Sequence, residues 1–272
     1  MSYVKPDQVV ESMVQAGAKK AGLPFRDLLI RSILAGVVIS YAATLSMTAT
    51  VQTGIGLVGA LVFPVGLVMI VLLGMELVTG NFALVPLAVY EKKASSTQML
   101  VNWAWVFIGN MIGCLFYALL YFISFRFSYD QSVIEQVIKT AEAKTLAYEA
   151  LGSQGFAVAF VKGILCNWMV ALGVVMAMTS ESVIGKIVAM WLPIFIFAAQ
   201  GYEHAVVNLF VIPAGMMFGA DVTMSDWWLW NQIPVTLGNL VGAAFFTGFA
   251  LYATHKTRNV KKLTIVGKTG TE

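Results

Sequence analysis

Two apolar stretches of this chain are too long to cross a lipid bilayer as single straight helices. Residues 57–90 and 187–218 would each extend about 50 Å at the helical rise, across a bilayer core about 30 Å thick. Each stretch also carries polar residues near its middle, in "GMELVTGN" (74–81) and "QGYEHAVVN" (200–208). We therefore predict that both helices are broken near the membrane midplane. Gly74, Gly80 and Gly201 permit the breaks, and the freed backbone groups must then face protein or a cavity. The alternative is one ordinary span plus a surface helix in each stretch.

The composition is that of an integral membrane protein. The chain has 272 residues, of which 59% are hydrophobic and 11% charged, whereas about a quarter of the residues of soluble domains are charged. Four further segments have the length and apolar character of single spans: 29–49, 101–125, 156–178 and 231–254. The sequence therefore predicts an all-α membrane protein with six transmembrane helices, of which the second and fifth are broken.

Three short matches relate the two halves of the chain. "NWAWVFIGNMIG" (102–113) and "NQIPVTLGNLVG" (231–242) share an asparagine, a Gly-Asn pair and a glycine at the same spacing. "GME" at 74 matches "GYE" at 201, and "ILAG" at 33 matches "ILCN" at 164. Because each half contains an odd number of spans, the second half must enter the membrane from the opposite side. This pattern predicts two inverted three-helix repeats, an aquaporin-like architecture that places a solute site near the midplane.

The basic residues predict that both termini are cytoplasmic. In that orientation the cytoplasmic side holds thirteen lysines and arginines: Lys5, Lys19, Lys20, Arg26, Arg31, Lys92, Lys93, Lys186, Lys256, Arg258, Lys261, Lys262 and Lys268. The outer side holds Arg126, Lys139 and Lys144. Such a bias is typical of the positive-inside rule. We expect the cytoplasmic membrane of the cell to hold the protein.

The predicted division of the chain has five parts. Residues 1–28 form a cytoplasmic amphipathic helix, with Val9, Val10, Met13, Val14 and Gly17 at helical spacing, which we expect to lie on the membrane surface. Residues 29–125 form the first three-span repeat, 126–155 an outer connecting segment, 156–254 the second repeat, and 255–272 a cytoplasmic tail. The sequence leaves open whether the N-terminal helix only anchors the chain or also gates it.

Ionisable residues inside membrane spans are costly and mark functional sites. Glu76 and Glu203 occupy matching places in the two halves, where each long helix should break, so we expect their carboxylates to accept hydrogen bonds from backbone N–H groups at the breaks. His204 differs, because its counterpart in the first half is Leu77. The repeat alone therefore does not require this imidazole, which can offer an N–H group to an anion or transfer a proton.

The sequence argues against several other chemistries. The second histidine, His255, lies in the tail, and Cys114 and Cys166 are not spaced as metal ligands, so we expect no metal site and no cofactor. We interpret both cysteines as packing residues inside spans. No basic cluster interleaved with aromatic residues suggests nucleic acid. An intramembrane enzyme using Glu203 and His204 as acid and base would lack a nucleophile, and we predict that the chain is not an enzyme.

Four segments resemble the formate/nitrite transporter family, and most closely its formate channels. These are "LLGMELVTGN" (72–81), "CNWMVALGVVMAM" (166–178), "GYEHAVVNLFVIPAGM" (201–216) and "IPVTLGNLVGAA" (233–244). The resemblance implies a homopentamer whose protomers each contain a pore. It also implies passage of a small monovalent anion such as formate, nitrite or hydrosulfide. A neutral-solute pore of aquaporin type is the alternative, although the paired "NPA" motifs of such pores are absent.

The same resemblance implies roles for individual residues. His204 matches the central pore histidine, and Thr79 matches the threonine of the loop that breaks the second helix. Asn167 matches an asparagine that hydrogen-bonds near that histidine, and Asn239 matches the asparagine of the sixth span. Phe63 and Phe197 match an outer aromatic constriction, and Leu67 and Leu77 match apolar narrowing residues.

Two further matches concern the ends of the pore. Lys144 matches a lysine of the outer vestibule that attracts anions, and Lys20 is a weaker match to a cytoplasmic lysine. Formate channels usually carry phenylalanine after the Leu77 position, where this chain has Val78. We expect Val78 to widen the inner constriction, which leaves the choice of anion open.

Overall fold

The computed structural model of the protein describes residues 3–128 and 131–256. Part of the predicted tail, residues 257–272, lies outside the described residues, and so do Arg258, Lys261, Lys262 and Lys268. The described part of the chain is all-helical apart from its connections and one isolated β-bridge between Tyr3 and Ser180, which confirms the predicted fold class at this level.

The described residues form twelve helices when the C-terminal one is counted as a single element. In chain order they are α1 (Pro6–Ala21), α2 (Phe25–Thr53), α3 (Gly56–Val62), α4 (Val65–Leu72), α5 (Val78–Tyr90), α6 (Ser96–Phe125), α7 (Ser132–Ala143), α8 (Leu146–Glu149), α9 (Ser153–Ala177), α10 (Val183–Ala199), α11 (Ala205–Phe218) and α12 (Met224–His255). Helix α12 contains two π-helical stretches, Trp227–Gln232 and Ala244–Phe249.

Four of these helices are long and apolar enough to cross a membrane, namely α2, α6, α9 and α12. They coincide with the four single spans predicted from sequence and begin up to seven residues earlier. The two overlong stretches instead form shorter helices, α3 to α5 and α10 to α11. The first stretch is also interrupted at Phe63 and Pro64, between α3 and α4, which the sequence analysis did not predict.

Both long stretches leave helical geometry at their polar centres. Helix α4 ends at Leu72 and α5 begins at Val78, and α10 ends at Ala199 and α11 begins at Ala205. Gly74 and Gly201 both have a φ of 64°, a left-handed conformation that glycine adopts without the steric cost of a side chain. The two interruptions therefore have the same local cause.

Glycines let the spanning helices approach closely. A Cβ atom on Gly113 would lie 2.1 Å from the carbonyl oxygen of Ile33, where α6 crosses α2. A Cβ atom on Gly242 would lie 2.2 Å from the carbonyl oxygen of Ile164, where α12 crosses α9. Backbone-to-backbone contact of this kind is how helices pack without a hydrophobic driving force between them. It explains the glycines shared by the two sequence motifs.

The N-terminal helix α1 has the predicted amphipathic face, but protein covers that face. Val9, Val10, Met13 and Val14 are buried, and α1 packs against α5 so closely that a Cβ atom on Gly17 would lie 2.1 Å from the Leu84 carbonyl oxygen. We expected this face to lie on the membrane surface. The packing against α5 instead fixes α1 at one end of the helix bundle.

The outer connecting segment contains a helix that the sequence analysis did not predict. Ile134, Val137 and Ala141 form the buried face of α7, which packs against α11. The spacing of these three residues is the ordinary signal of an amphipathic helix.

An ion-pair cluster joins α1 to the ends of α5 and α12. Glu11 accepts hydrogen bonds from Lys256 at 2.6 Å and from Lys93 at 3.1 Å, and Lys256 also lies 3.3 Å from Glu91. The Glu91 carboxylate accepts a further hydrogen bond from the hydroxyl group of Tyr252. The hydrogen bond from Lys256, with those from neighbouring side chains, lowers the pKa of Glu11 to about 2.

We expect Glu11→Gln to loosen the docking of α1 by about 1 kcal/mol or less, because the carboxylate is half exposed and solvent screens its ion pairs. The pKa of Glu11 in the folded protein lies below its ordinary value of 4.5. Its contribution is therefore fully present above about pH 4.5 and is lost as the pH falls toward 2. Hydrogen exchange of the α1 amides, corrected for intrinsic rates at pH 7 and pH 3, would measure both effects.

Asp7→Asn provides the matched control, because Asp7 is an exposed carboxylate in the first turn of the same helix. Equal protection of α1 in the Glu11→Gln variant and the wild type at pH 7 would contradict the prediction.

Candidate functional site

A buried polar cluster surrounds Glu76 at the break between α4 and α5. Lys20 Nζ lies 3.0 Å from each carboxylate oxygen, and Asn81 Nδ2 donates to Oε2 at 2.8 Å. Asn81 also donates to Asn102 Oδ1 at 2.9 Å, and Asn102 Nδ2 donates to the backbone oxygen of Lys20 at 2.9 Å. The cluster thus connects α1, α5 and α6 to the residues of the break.

The break between α10 and α11 carries a matching cluster around Glu203. Lys144 Nζ and Asn208 Nδ2 both donate to Oε2 at 2.8 Å. Asn208 also donates to Asn231 Oδ1 at 2.8 Å, and Asn231 Nδ2 donates to the backbone oxygen of Lys144 at 2.8 Å. Tyr148 adds a hydrogen bond from its hydroxyl group to Glu203 Oε1 at 2.8 Å. Each pair of residues in contact in the first cluster has a counterpart in the second, except that Lys20 contacts both oxygens of Glu76 whereas Lys144 contacts Oε2 of Glu203.

Asn110 holds the backbone at the first break. Its side-chain oxygen accepts from the N–H of Val78, the first residue of α5, at 3.0 Å. Its amide nitrogen donates to the carbonyl oxygens of Ser32 at 2.8 Å and Glu76 at 2.9 Å. A single side chain therefore bridges α2, α6 and the break.

Asn239 holds the second break in the same way. Its oxygen accepts from the N–H of Ala205 at 2.9 Å, and its nitrogen donates to the carbonyl oxygens of Gly163 and Glu203, each at 2.9 Å. We expected the two glutamate carboxylates to accept backbone N–H groups at the breaks. Among the described residues, the asparagines accept the N–H groups of Val78 and Ala205, and the carboxylates instead form ion pairs with lysines.

His204 lies immediately before α11 and acts as the N-cap residue of that helix. Its Nδ1 atom accepts the backbone N–H of Val207 at 3.2 Å, and its Nε2 atom lies 3.1 Å from Thr79 Oγ1. A nitrogen that accepts a hydrogen bond holds a lone pair, so the ring proton of the neutral imidazole resides on Nε2. Behind this pair, Asn167 Nδ2 donates to the carbonyl oxygens of Thr79 at 3.0 Å and Asn239 at 2.8 Å.

Three cavities lie in succession around His204. The inner cavity, of about 320 Å³, lies next to α1, and the outer cavity, of about 240 Å³, is lined partly by Lys144 and His204. Between them is a small chamber of about 10 Å³, which His204 also lines. The imidazole therefore borders both the central chamber and the outer cavity.

Apolar side chains separate the three cavities. Phe63 and Phe197 line both the outer cavity and the central chamber, with ring centroids 5.6 Å apart in an edge-to-face arrangement. Leu67 and Leu77 line both the central chamber and the inner cavity. Val78, in contrast, is fully buried and is not among the residues that line these cavities. Its backbone N–H, bound to Asn110, is the part of Val78 that supports the break.

Part of this arrangement is not predicted from the sequence. Glu76, Glu203 and Lys144 stand out individually, but nothing in the sequence indicates that lysines pair with the two carboxylates. Tyr148 was not predicted either, because no periodicity marks it. Asn102 and Asn231 could have been found, because each is the first residue of the repeated asparagine and glycine motif.

Metal ligands and disulfides were not expected. The described residues contain no group of three or more histidine, cysteine, aspartate or glutamate side chains that could hold a metal ion. Cys114 and Cys166 are buried free thiols in α6 and α9.

Comparisons with known proteins show what the chain is similar to in sequence. The sequence profile described as "Formate/nitrite transporter" matches residues 7–253. The chain is 35% identical to the "Probable formate transporter" of Methanothermobacter thermautotrophicus over 93% of its own length and 98% of that protein.

Two solved structures are similar in fold. A structure described as "FNT family ion channel" matches with a TM-score of 0.78 and 25% identity, over 90% of this chain and 98% of the other. A "Pentameric formate channel with formate bound" matches with a TM-score of 0.72 and 26% identity, over 86% of this chain and 98% of the other.

Proposed function

The chain belongs to the formate/nitrite transporter family, and from this premise we propose that it conducts a small monovalent anion through a pore in each protomer. Formate, nitrite and hydrosulfide are the candidate anions. The single observation that carries the proposal is a buried imidazole N–H between two apolar junctions, with a larger cavity on either side. The homologues are channels and transporters, which supports a transport role and not an enzymatic one.

The apolar junctions select by dehydration. An anion entering a passage lined by Phe63 and Phe197, or by Leu67 and Leu77, loses much of its water, which costs several kcal/mol or more for an uncompensated charge. The neutral acid of the same anion would lose far less. A proton or hydrogen-bond donor between the junctions would lower this barrier. In our proposal His204 supplies that donor.

The orientation of the imidazole favours hydrogen-bond donation as its resting role. Because Nδ1 accepts the Val207 N–H, a second proton on that atom would face another donor at the positive end of α11. The Nε2 proton is the one available, and Thr79 Oγ1 accepts it in the structure. An anion entering the chamber would compete with Thr79 for this proton. Before His204 could transfer a proton to the anion, the hydrogen bond between its Nδ1 atom and the Val207 N–H would have to break.

Asn167 and Asn239 act in our proposal as positioning residues. Asn167 holds the backbone of Thr79, and Asn239 holds the backbone on either side of His204. Lys144 borders the outer cavity, where it would attract anions, although its ammonium group is already paired with Glu203. Glu76 and Glu203 support the two breaks by anchoring these lysines and the neighbouring asparagines.

We also propose that the chain is built from two inverted three-span repeats. The matched clusters at Glu76 and Glu203, the matched bridges at Asn110 and Asn239, and the equal φ angles at Gly74 and Gly201 support this proposal. An odd number of spans per half then gives opposite orientations in the membrane. With it we propose the five-part division at residues 28, 125, 155 and 254, and the bias of basic residues supports cytoplasmic positions for both termini.

The assembly we propose is a homopentamer in the cytoplasmic membrane. It rests on the structural relative described as a pentameric formate channel, which this chain covers almost completely. Cross-linking of the protein in native membranes, followed by mass measurement, tests this assignment.

Reconstitution tests the proposed function. The purified protein in liposomes should carry formate, nitrite or hydrosulfide down a gradient and should add little to osmotic water permeability measured by stopped flow. Empty liposomes are the control. Water or glycerol permeation without anion flux would instead support the neutral-solute pore.

A further inference from the structure

The inner cavity has a charge that the proposed monovalent substrate does not require. Its lining includes four cationic side chains, Lys19, Lys20, Arg31 and Lys186, and one carboxylate, Glu76. Glu76 is paired with Lys20 at 3.0 Å. The lining therefore keeps a net charge equivalent to three cations.

Carboxylates neutralise the charges of the three remaining cations, Lys19, Arg31 and Lys186, only weakly. Arg31 has a carboxylate partner in Asp27, at 4.0 Å between half-exposed groups, a geometry that contributes little in water. The ion pairs among residues 3–128 and 131–256 include neither Lys19 nor Lys186. The three side chains come from α1, α2 and α10, so tertiary packing brings them together.

The fold keeps the α1 wall of this cavity in place. Gly17 contacts the backbone of Leu84, and the backbone oxygen of Lys20 accepts a hydrogen bond from Asn102 at 2.9 Å. Lys19 is the neighbouring residue in the last turn of the same helix. The cationic lining is therefore fixed at its backbone and not carried on a loose segment.

Size and charge together define what this cavity can retain. Its volume of about 320 Å³ contrasts with about 10 Å³ for the central chamber beyond Leu67 and Leu77. The dehydration penalty of an ion rises with the square of its charge, so a dianion meets a penalty about four times that of a monoanion at the apolar junction. A small dianion can thus enter the inner cavity and cannot continue.

Because three cationic side chains line a cavity that ends at an apolar junction, we propose that the inner cavity is a binding site for small multivalent anions. These anions block the pore from the side that carries α1. Lys19, Arg31 and Lys186 supply the charge, and the Leu67 and Leu77 junction stops the ion. The outer cavity differs, because Lys144 is the one lysine or arginine among the described residues that line it and is paired with Glu203. Multivalent anions therefore block the pore from the side that carries α1 and not from the side of the outer cavity. This proposal rests on the proposed anion flux.

Membrane vesicles of defined orientation test the proposal. Formate flux is measured in inverted and right-side-out vesicles containing the full chain, with sodium sulfate or sodium methanesulfonate added at equal ionic strength. Sulfate carries two charges and methanesulfonate one, on similar tetrahedral groups. Sulfate should reduce the flux when added to the face that carries α1, and methanesulfonate should do so far less.

Variants assign the effect to the three side chains. The triple variant Lys19→Gln, Arg31→Gln, Lys186→Gln should raise the half-blocking sulfate concentration by about tenfold or more, since several screened charges act together. The charge-preserving triple Lys19→Arg, Arg31→Lys, Lys186→Arg should keep the block. Lys139→Gln is the matched control, because Lys139 is exposed on α7 and is not among the residues that line the inner cavity.

Several outcomes would overturn the proposal: equal block from both faces, equal block by both ions, or unchanged block in the Gln triple variant. Should the vesicles carry none of the three candidate anions, formate, nitrite and hydrosulfide, the proposed function fails while the site is still testable. Calorimetric titration of sulfate into the purified protein should then show binding to the wild type that the Gln triple variant loses. Absence of that difference would disprove the site itself.

Discussion

His204→Phe is expected to reduce formate, nitrite and hydrosulfide fluxes in proteoliposomes by about 10- to 100-fold. The substitution removes the N–H donor between the two apolar junctions, and a hydrogen bond to a charged group contributes about 1.5–3 kcal/mol. The phenyl ring would also border Phe197, whose ring lies 6.0 Å from the imidazole, and would extend the apolar passage. Flux should be measured across pH 5 to 8 for all three anions.

The Phe substitution also removes the N-cap of α11, so a structural control is needed. His204→Asn is the matched variant, because asparagine caps helices well and keeps a neutral N–H donor without a titrating ring. If hydrogen-bond donation is the main role of His204, the Asn variant should retain more flux than the Phe variant. Loss in both variants, with helix content and melting temperature unchanged, would indicate proton transfer. Unchanged pH-dependent fluxes of all three anions in the Phe variant would disprove a role for His204.

Glu203→Leu is expected to destabilise the protein by about 3–5 kcal/mol, which is the usual effect of breaking a buried ion pair on one side. Lys144 would lose its counter-charge, and Asn208 and Tyr148 would each lose an acceptor for a buried donor. The apparent unfolding free energy in mixed detergent micelles, at a fixed protein concentration, would measure the loss.

A second substitution separates charge from packing. Lys144→Met combined with Glu203→Leu should recover part of the lost stability, because no uncompensated charge then remains in the cluster. Glu149→Gln, at an exposed carboxylate of α8, should change stability by less than about 0.5 kcal/mol. A double variant less stable than Glu203→Leu alone would contradict this account of the ion pair. The flux of the double variant would also show whether Lys144 attracts anions.

Several features of the site could be predicted from the sequence because they follow from local chemistry. A polar residue in an apolar stretch of more than 30 residues must find a partner in a medium without water, and glycine permits the break that provides one. The breaks at Gly74 and Gly201 follow from this constraint. The asparagine and glycine motif also indicated a structural role shared by the two halves. Asn110 and Asn239 have this role, because each bridges its helix to the backbone at one of the breaks.

Other features could not be predicted because they depend on which distant segments meet. Lys20 is 56 residues from Glu76, and Lys144 is 59 residues from Glu203. No periodic pattern in the sequence relates two residues that are this far apart. The expected contact of the apolar face of α1 with the membrane surface was wrong for the same reason, since an amphipathic face looks identical in sequence whether lipid or α5 covers it.

The sequence by itself therefore determined an all-helical membrane chain, the interruptions of two long apolar stretches, and the asymmetry that leaves His204 without a counterpart in the first half. The tertiary structure alone decided that the carboxylates pair with lysines, that Nδ1 of His204 caps α11, and that Lys19, Arg31 and Lys186 line one cavity. The physical reason is the distance along the chain over which each kind of interaction acts. Hydrophobicity and backbone conformation act on neighbouring residues, whereas charge pairing in a low-dielectric interior depends on contacts between segments that only packing brings together.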